Sequence, residues 1–265
     1  MKIAIQLFGQ LCLNIDMKIA IQLSGQPRFT QDFNLLLENL IGYDQADWFI
    51  YLSNKNHTQP AKEGVKFSKY WEDFDADWAI NKISSNLPRN NFIQRFEISD
   101  SHLQQWPEVK DLFWVESPER VFMMYYNIFQ ANELRKHYQE TTGVLYDLIV
   151  RVRSDIGINS YVDVSKLNIK DDEILMPKNG WGGVPNGWSS IPGDFWSNDL
   201  LAIGKDISMD IYSNTIHLIK KYNDIGLWFH PETILAYHLA KNKIKTIKGD
   251  FESTIRQFPI DTKWD

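Results

Sequence analysis

Residues 17–52 read MKIAIQLSGQPRFTQDFNLLLENLIGYDQADWFIYL, and this stretch decides the fold. Ile19 to Leu23 is a short apolar run of β-forming residues, closed by the tight-loop sequence Ser24-Gly25-Gln26-Pro27-Arg28. Thr30 is placed to cap a helix, in which Phe33, Leu36, Leu37, Leu40 and Ile41 keep helical spacing. Trp48 to Leu52 (WFIYL) then reads as a second buried strand. Strand, helix and strand in such a short span form a βαβ unit, which requires a parallel pair and a right-handed crossover.

The opening is duplicated. Residues 1–10 (MKIAIQLFGQ) return at 17–26 (MKIAIQLSGQ) with nine of ten positions identical. Two copies of one strand cannot take the same place in a sheet. The second copy leads directly into the amphipathic helix, so residues 17–265 are expected to form one domain and residues 1–16 a duplicated N-terminal extension. The alternative is an extra edge strand over residues 1–10.

Downstream, residues 54–91 are polar with aromatic islands and show no assignable period. Phe92 to Ile98 reads as a strand. Ser117-Pro118-Glu119 opens a helix with a hydroxyl cap, a proline in the first turn and an acid near the positive end. Its stripe of Val121, Met124, Tyr125, Ile128, Phe129 and Asn132 faces the core, and Gly143 ends it. Strands follow at Tyr146 to Ile156, Glu173 to Met176, Leu200 to Gly204 and Ile244 to Ile247, with helices at Ile207 to Tyr222 and from His230-Pro231-Glu232 to Ala240. This alternation predicts an α/β three-layer sandwich around a mostly parallel central sheet.

Composition narrows the function. The 265 residues, 43% hydrophobic and 23% charged, suit one large domain. A net charge of -6 with pI near 5.5 disfavours nucleic acid as a partner. Cys12 is the only cysteine, so neither a disulfide framework nor a thiolate zinc site is available within one chain. No apolar run has the length of a transmembrane segment and no secretion signal opens the chain, so the expected compartment is cytoplasmic. No Gly-x-x-x-x-Gly-Lys-Ser/Thr loop and no Gly-x-Gly-x-x-Gly after a strand is present, which speaks against P-loop NTPases and dinucleotide dehydrogenases.

The segment YDLIVRVRSDI (146–156) carries the chemistry. Alternation puts Val150 and Val152 on one face and Arg151, Arg153 and Asp155 on the other. A central strand is ordinarily apolar throughout, so three charges near its carboxyl end need a reason. One reason is a structural Arg–Asp network. The other is a ligand, because open α/β sheets bind ligands beyond the carboxyl ends of their strands. There Asp155 suits Mg²⁺ or Mn²⁺, and the arginines suit phosphate oxygens.

Arg-x-Arg-Ser-Asp after an apolar strand resembles the metal-binding Asp-x-Asp region of glycosyltransferases with the Rossmann-like A-type fold. It is particularly similar to the bacterial and phage polysaccharide and lipopolysaccharide synthesis proteins of the WavE-like group. Ile19 to Arg28, the segment from Asn198 to Gly204, and His230-Pro231-Glu232 with Ile234 to Tyr237 resemble the same group. The resemblance implies transfer of a sugar from a nucleotide-sugar donor to a carbohydrate acceptor, assisted by Mn²⁺ or Mg²⁺. It implies donor contacts from Ser24, Gly25, Gln26, Arg28, Arg151 and Arg153, with Asp155 as metal ligand. The sequence departs from Asp-x-Asp at Arg153, which leaves one carboxylate.

His230 is a candidate second metal ligand or a helix N-cap. Asp199, Glu232 and Asp194 are candidate general bases for the acceptor hydroxyl. The loop from Lys178 to Asn198 carries Trp181, Trp188 and Trp196, whose faces suit an acceptor-binding lid or simply a packed surface loop. Two other classes stay open at this level: an inactive carbohydrate- or nucleotide-sugar-binding protein of the same fold, and a Mg²⁺-dependent nucleotidyltransferase.

Overall fold

The computed structural model describes residues 17–25, 36–41, 46–53, 91–96, 118–179 and 197–254. Its strands are β1 (Ile19–Gly25), β2 (Leu40–Ile41), β3 (Asp47–Ser53), β4 (Asn91–Phe96), β5 (Leu148–Val152), β6 (Gly157–Ile158), β7 (Val162–Asp163), β8 (Glu173–Met176), β9 (Leu201–Gly204), β10 (Lys245–Lys248) and β11 (Ser253–Thr254). Its α-helices are α1 (Pro118–Thr142), α2 (Asp206–Ser213), α3 (Ile219–Asp224) and α4 (Pro231–Lys241).

Seven strands form the main sheet in the order β4-β3-β1-β5-β9-β8-β10. Only β9 runs antiparallel, against both β5 and β8. The chain builds outward from β1 through β3 to β4, then crosses back to pair β5 with the other side of β1. Counted in chain order, that half of the sheet reads 3-2-1-4. This is the arrangement of a Rossmann-like sheet, with its topological switch point between β1 and β5. Short ladders β2–β7 and β6–β11 lie apart from it.

Strand alternation sorts the core onto the two faces. Ile19, Ile21 and Leu23 join Trp48, Ile50, Leu52, Leu148, Val150 and Val152 on one side, with Leu36, Leu37 and Leu40 packed against them. Ala20, Phe49 and Ile149 lie on the other side, under Tyr125 and Ile128 of α1, Met209 and Tyr212 of α2 and Leu235 of α4. Each buried Ile or Leu contributes about 1.5–3 kcal/mol of transfer free energy. A one-residue slip of β1 would invert both faces, so its register is firmly specified.

The second copy of the repeat therefore occupies a sheet position hydrogen-bonded on both sides, while residues 1–16 lie outside the described residues. Of the helix expected from Thr30, residues 36–39 are described and helical, but Leu40 and Ile41, expected to continue it, instead form β2 and pair with β7. α1 begins at Pro118 and ends before Gly143, which takes the left-handed φ of 73° and donates its N–H to Gln139 O at 2.8 Å.

Two further expectations need correction. The helix expected over Ile207 to Tyr222 is broken into α2, a 3₁₀ segment at Asn214–Leu218 and α3. At the break the Thr215 hydroxyl donates to Tyr212 O at 2.8 Å, the side-chain competition that disfavours continuous helix. The strand expected over Tyr146 to Ile156 stops at Val152, and residues 154–155 form a turn. Asp155 therefore leaves the alternation that would have set it beside Arg151.

Candidate functional site

The carboxyl ends of β1 and β5 meet at the switch point, the crevice where such sheets hold ligands. β1 ends in Ser24, which is buried, and Gly25, whose φ of 131° strains any side-chain-bearing residue. Because β9 is antiparallel, its beginning lies at the carboxyl end of β5, with Arg153 N–H donating to Leu200 O at 3.2 Å. That reversal delivers Asp199 to the same edge. Two bonds fix the amino end of α4 nearby: Tyr125 OH to Pro231 O at 2.7 Å, and Ser197 Oγ to Glu232 O at 2.7 Å.

At the rim, Arg153 grips Asp155 with a fork: Nε donates to Oδ1 at 2.9 Å and Nη2 to Oδ2 at 2.7 Å. Its remaining terminal nitrogen reaches Asp199 Oδ2 at 3.4 Å. Both carboxylates are buried, and the Arg153 side chain is 24% exposed. His230 holds the N-cap position of α4 without capping it through its side chain. Its Nδ1 lies 3.2 Å from Glu232 Oε2 and 3.4 Å from Thr233 Oγ1. Burial pushes the imidazole pKa down, opposed by the negative charge of Asp199, so the ring is neutral at pH 7.

Beneath the rim lies a polar floor. Arg151 is 1% exposed, and its Nε and Nη1 are buried with no hydrogen-bond partner among the described residues. Gln22 Oε1, Ser24 Oγ and Tyr212 OH are buried and unsatisfied in the same way. Tyr212 is pushed up to about 12 by burial, while Arg151 pulls it down and Asp199 and Glu232 add to the rise. Tyr125 is raised by burial and senses the same three charges. Floor and rim thus share one electrostatic neighbourhood.

A second arginine supports the floor from α1. Arg135 is wholly buried and bonded to Asp206 and Asp210 of α2, to Asn132 and to Gln139. Asn132 accepts from Gln22 Nε2 at 2.7 Å and donates to Asp210 Oδ1 at 2.7 Å.

Of the residues singled out from sequence, Arg151, Arg153, Asp155, Asp199, His230 and Glu232 converge at this edge, with Ser24 and Gly25 closing the neighbouring strand. Gln26, Arg28, Trp181, Trp188, Asp194 and Trp196 lie outside the described residues. Asn198 rather than Asp199 caps the turn into β9, its Oδ1 accepting from Leu200 N–H at 2.8 Å. Among the described residues no three His, Cys, Asp or Glu side chains gather as a metal site, and Arg153 takes both oxygens of Asp155. In this arrangement Arg153, rather than the Mn²⁺ or Mg²⁺ expected at Asp155 and His230, neutralises the Asp155 carboxylate.

Gln22 and Arg135 escaped the sequence reading, and Asn132 was read only as part of a core-facing stripe. Gln22 interrupts an apolar strand, and Arg135 follows Asn132 by three residues on the helix; both were visible as charged or amide groups at core spacing. Compared with protein-family models the chain matches none, and no curated protein matches it. No helix among the described residues is long and apolar enough to cross a membrane.

Proposed function

We propose that this chain is a nucleotide-sugar-dependent glycosyltransferase of the A-type fold, a three-layer sandwich acting on a glycan or lipopolysaccharide-type acceptor in the cytoplasm. The observation that carries the reading is the convergence at the β1–β5 switch point of an exposed-edge guanidinium, carboxylates and a neutral imidazole above buried polar groups. The switch point is where a Rossmann-like sheet accommodates a nucleotide.

In this reading Arg153 meets the diphosphate, since its partly exposed fork can exchange a carboxylate for phosphate oxygens. The bond from the sugar anomeric carbon to the diphosphate oxygen breaks, and its electron pair leaves on that oxygen. The acceptor hydroxyl oxygen bonds the anomeric carbon and gives its proton to a carboxylate. Glu232, in the first turn of α4 and 3.2 Å from His230 Nδ1, takes that role. Arginine stabilises the developing charge most where water is excluded.

The test is a thermal-shift screen of UDP-, GDP-, CMP- and dTDP-sugars, with and without Mn²⁺. Binding to the native state raises apparent stability with the logarithm of ligand concentration over affinity. A shift by at least one donor without Mn²⁺ is expected. A shift only with Mn²⁺ would restore the metal to the site and contradict the arginine assignment. Stabilisation by nucleoside triphosphates alone would favour a nucleotidyltransferase.

A further inference from the structure

The buried floor of the crevice has a chemistry of its own. Gln22 and Arg151 are directly paired positions on adjacent parallel strands, and Ser24 follows on the same face. Gln22 Oε1, Ser24 Oγ and Arg151 Nε and Nη1 are all buried without hydrogen-bond partners among the described residues. Buried polar atoms are nearly always satisfied, so several together on two central strands call for an occupant.

The orientation of Gln22 is determined by its network. Arg135 can only donate and Asp210, as a carboxylate, can only accept. Asn132 must therefore turn Oδ1 to Arg135 and Nδ2 to Asp210. Gln22 then has to offer its Nε2 to Asn132 Oδ1, which leaves Oε1 as the unsatisfied atom. The floor therefore presents an acceptor from Gln22, donors from Arg151 and a hydroxyl of either sense from Ser24.

A diphosphate does not complement that set. Its oxygens only accept, so Gln22 Oε1 would stay unsatisfied, and Asp199 and Glu232 act on the same neighbourhood with negative charge. A hydroxyl accepts from arginine and donates to an amide oxygen at once. We infer that Gln22, Ser24 and Arg151 form a subsite for adjacent hydroxyls of a sugar ring, leaving the phosphates to Arg153 at the rim. This inference rests on the nucleotide-sugar reading above. The hydroxyls come from the transferred sugar or from the ribose of the nucleotide, which share the chemistry. Asn132, Arg135 and Asp210 are positioning residues that hold the amide in its working orientation.

The experiment takes the sugar nucleotide that most raises the melting temperature in the four-nucleotide panel. Its affinity is measured by calorimetry beside those of the parent nucleotide, the 2′-deoxy nucleotide and inorganic pyrophosphate. Wild type is compared with Arg151→Met and Ser24→Ala. The serine variant removes no hydrogen bond among the described residues, so it stays folded even if the arginine variant does not.

Both variants are expected to weaken hydroxyl-dependent binding by about tenfold or more while leaving pyrophosphate unchanged. Loss confined to the sugar nucleotide assigns the subsite to the sugar; loss of the preference for nucleotide over its 2′-deoxy form assigns it to ribose. Equal weakening of pyrophosphate would overturn the inference in favour of an oxyanion site, with the donor reading intact. Unchanged binding in both variants would overturn it in favour of an internally paired or water-filled floor. If wild type binds none of the sugar nucleotides, the donor reading falls and the inference with it.

Discussion

Replacing Arg135 by methionine keeps much of the side-chain volume and removes the charge that ties α1 to α2. Arg135 is wholly buried, bonded through both terminal nitrogens to Asp206 and Asp210 and through Nε to Asn132 at 3.2 Å. Breaking a buried ion pair costs about 3–5 kcal/mol when the abandoned partner stays buried. Here the abandoned carboxylates are 47% and 31% exposed, so water recovers part of their solvation. The expected loss is therefore about 2–3 kcal/mol, below the buried-pair range. Urea unfolding at constant m-value measures it, and in a domain of this size a melting temperature lower by roughly 5–10 °C should accompany it. The two acids are not equivalent. Asp210 also accepts from Asn132 Nδ2, so Asp210→Ala should cost more than Asp206→Ala and should release the Gln22 amide. A loss under about 1 kcal/mol for Arg135→Met would show that the network is replaceable by apolar packing and would refute this reasoning.

Gly204→Ala should destabilise in the same unfolding assay, because a Cβ there would stand 2.8 Å from Ser208 Oγ and 3.1 Å from Met209 Cγ; unchanged stability would mean that α2 shifts freely. His238 is buried neutral, with Nε2 donating to Ile211 O and Nδ1 accepting from Tyr222 OH, and burial lowers its pKa below 6.5. The unfolded chain binds that proton more readily, so the stabilisation is present above pH 6.5 and is lost as pH falls through the lower folded value; in His238→Gln this slope should flatten. Asp155→Asn leaves Arg153 its contact to Asp199 and a partly solvated side chain, so it should cost about 1–2 kcal/mol rather than the full penalty of a stranded buried charge. A chain beginning at Met17 should melt with the full-length protein, because Ile19–Gly25 already fills the central strand position; a large drop would assign residues 1–16 a structural role.

The sheet's parallel frame was legible because apolar runs such as Ile19 to Leu23 and Trp48 to Leu52 repeat with the strand period and flank helical spacing. The site was legible at Arg151 and Arg153, since charge inside an apolar strand is costly enough to demand an explanation. Strand direction was not. Whether Leu201–Gly204 runs with or against β5 depends on where the chain re-enters the sheet, and no local preference records that. The turn at residues 154–155 was hidden for a related reason: Arg153-Ser-Asp alternates as well as a strand would, and the fork to Asp155 forms only after the chain turns. The Gln22 orientation was out of reach, because it depends on Asn132, Arg135 and Asp210, which meet Gln22 only across the packed face of the sheet.

The central claim is that the switch-point crevice binds a nucleotide sugar and transfers its sugar. Release of nucleoside diphosphate or monophosphate from the UDP-, GDP-, CMP- and dTDP-sugar panel, followed for wild type and for Glu232→Gln, tests it most directly. At least one donor should be consumed by wild type, and Glu232→Gln should bind that donor as tightly while turning it over about 10²–10⁴-fold more slowly, the range for losing a general base. A wild-type chain that neither binds nor consumes any of these donors, or a Glu232→Gln variant with unchanged turnover, would contradict the account.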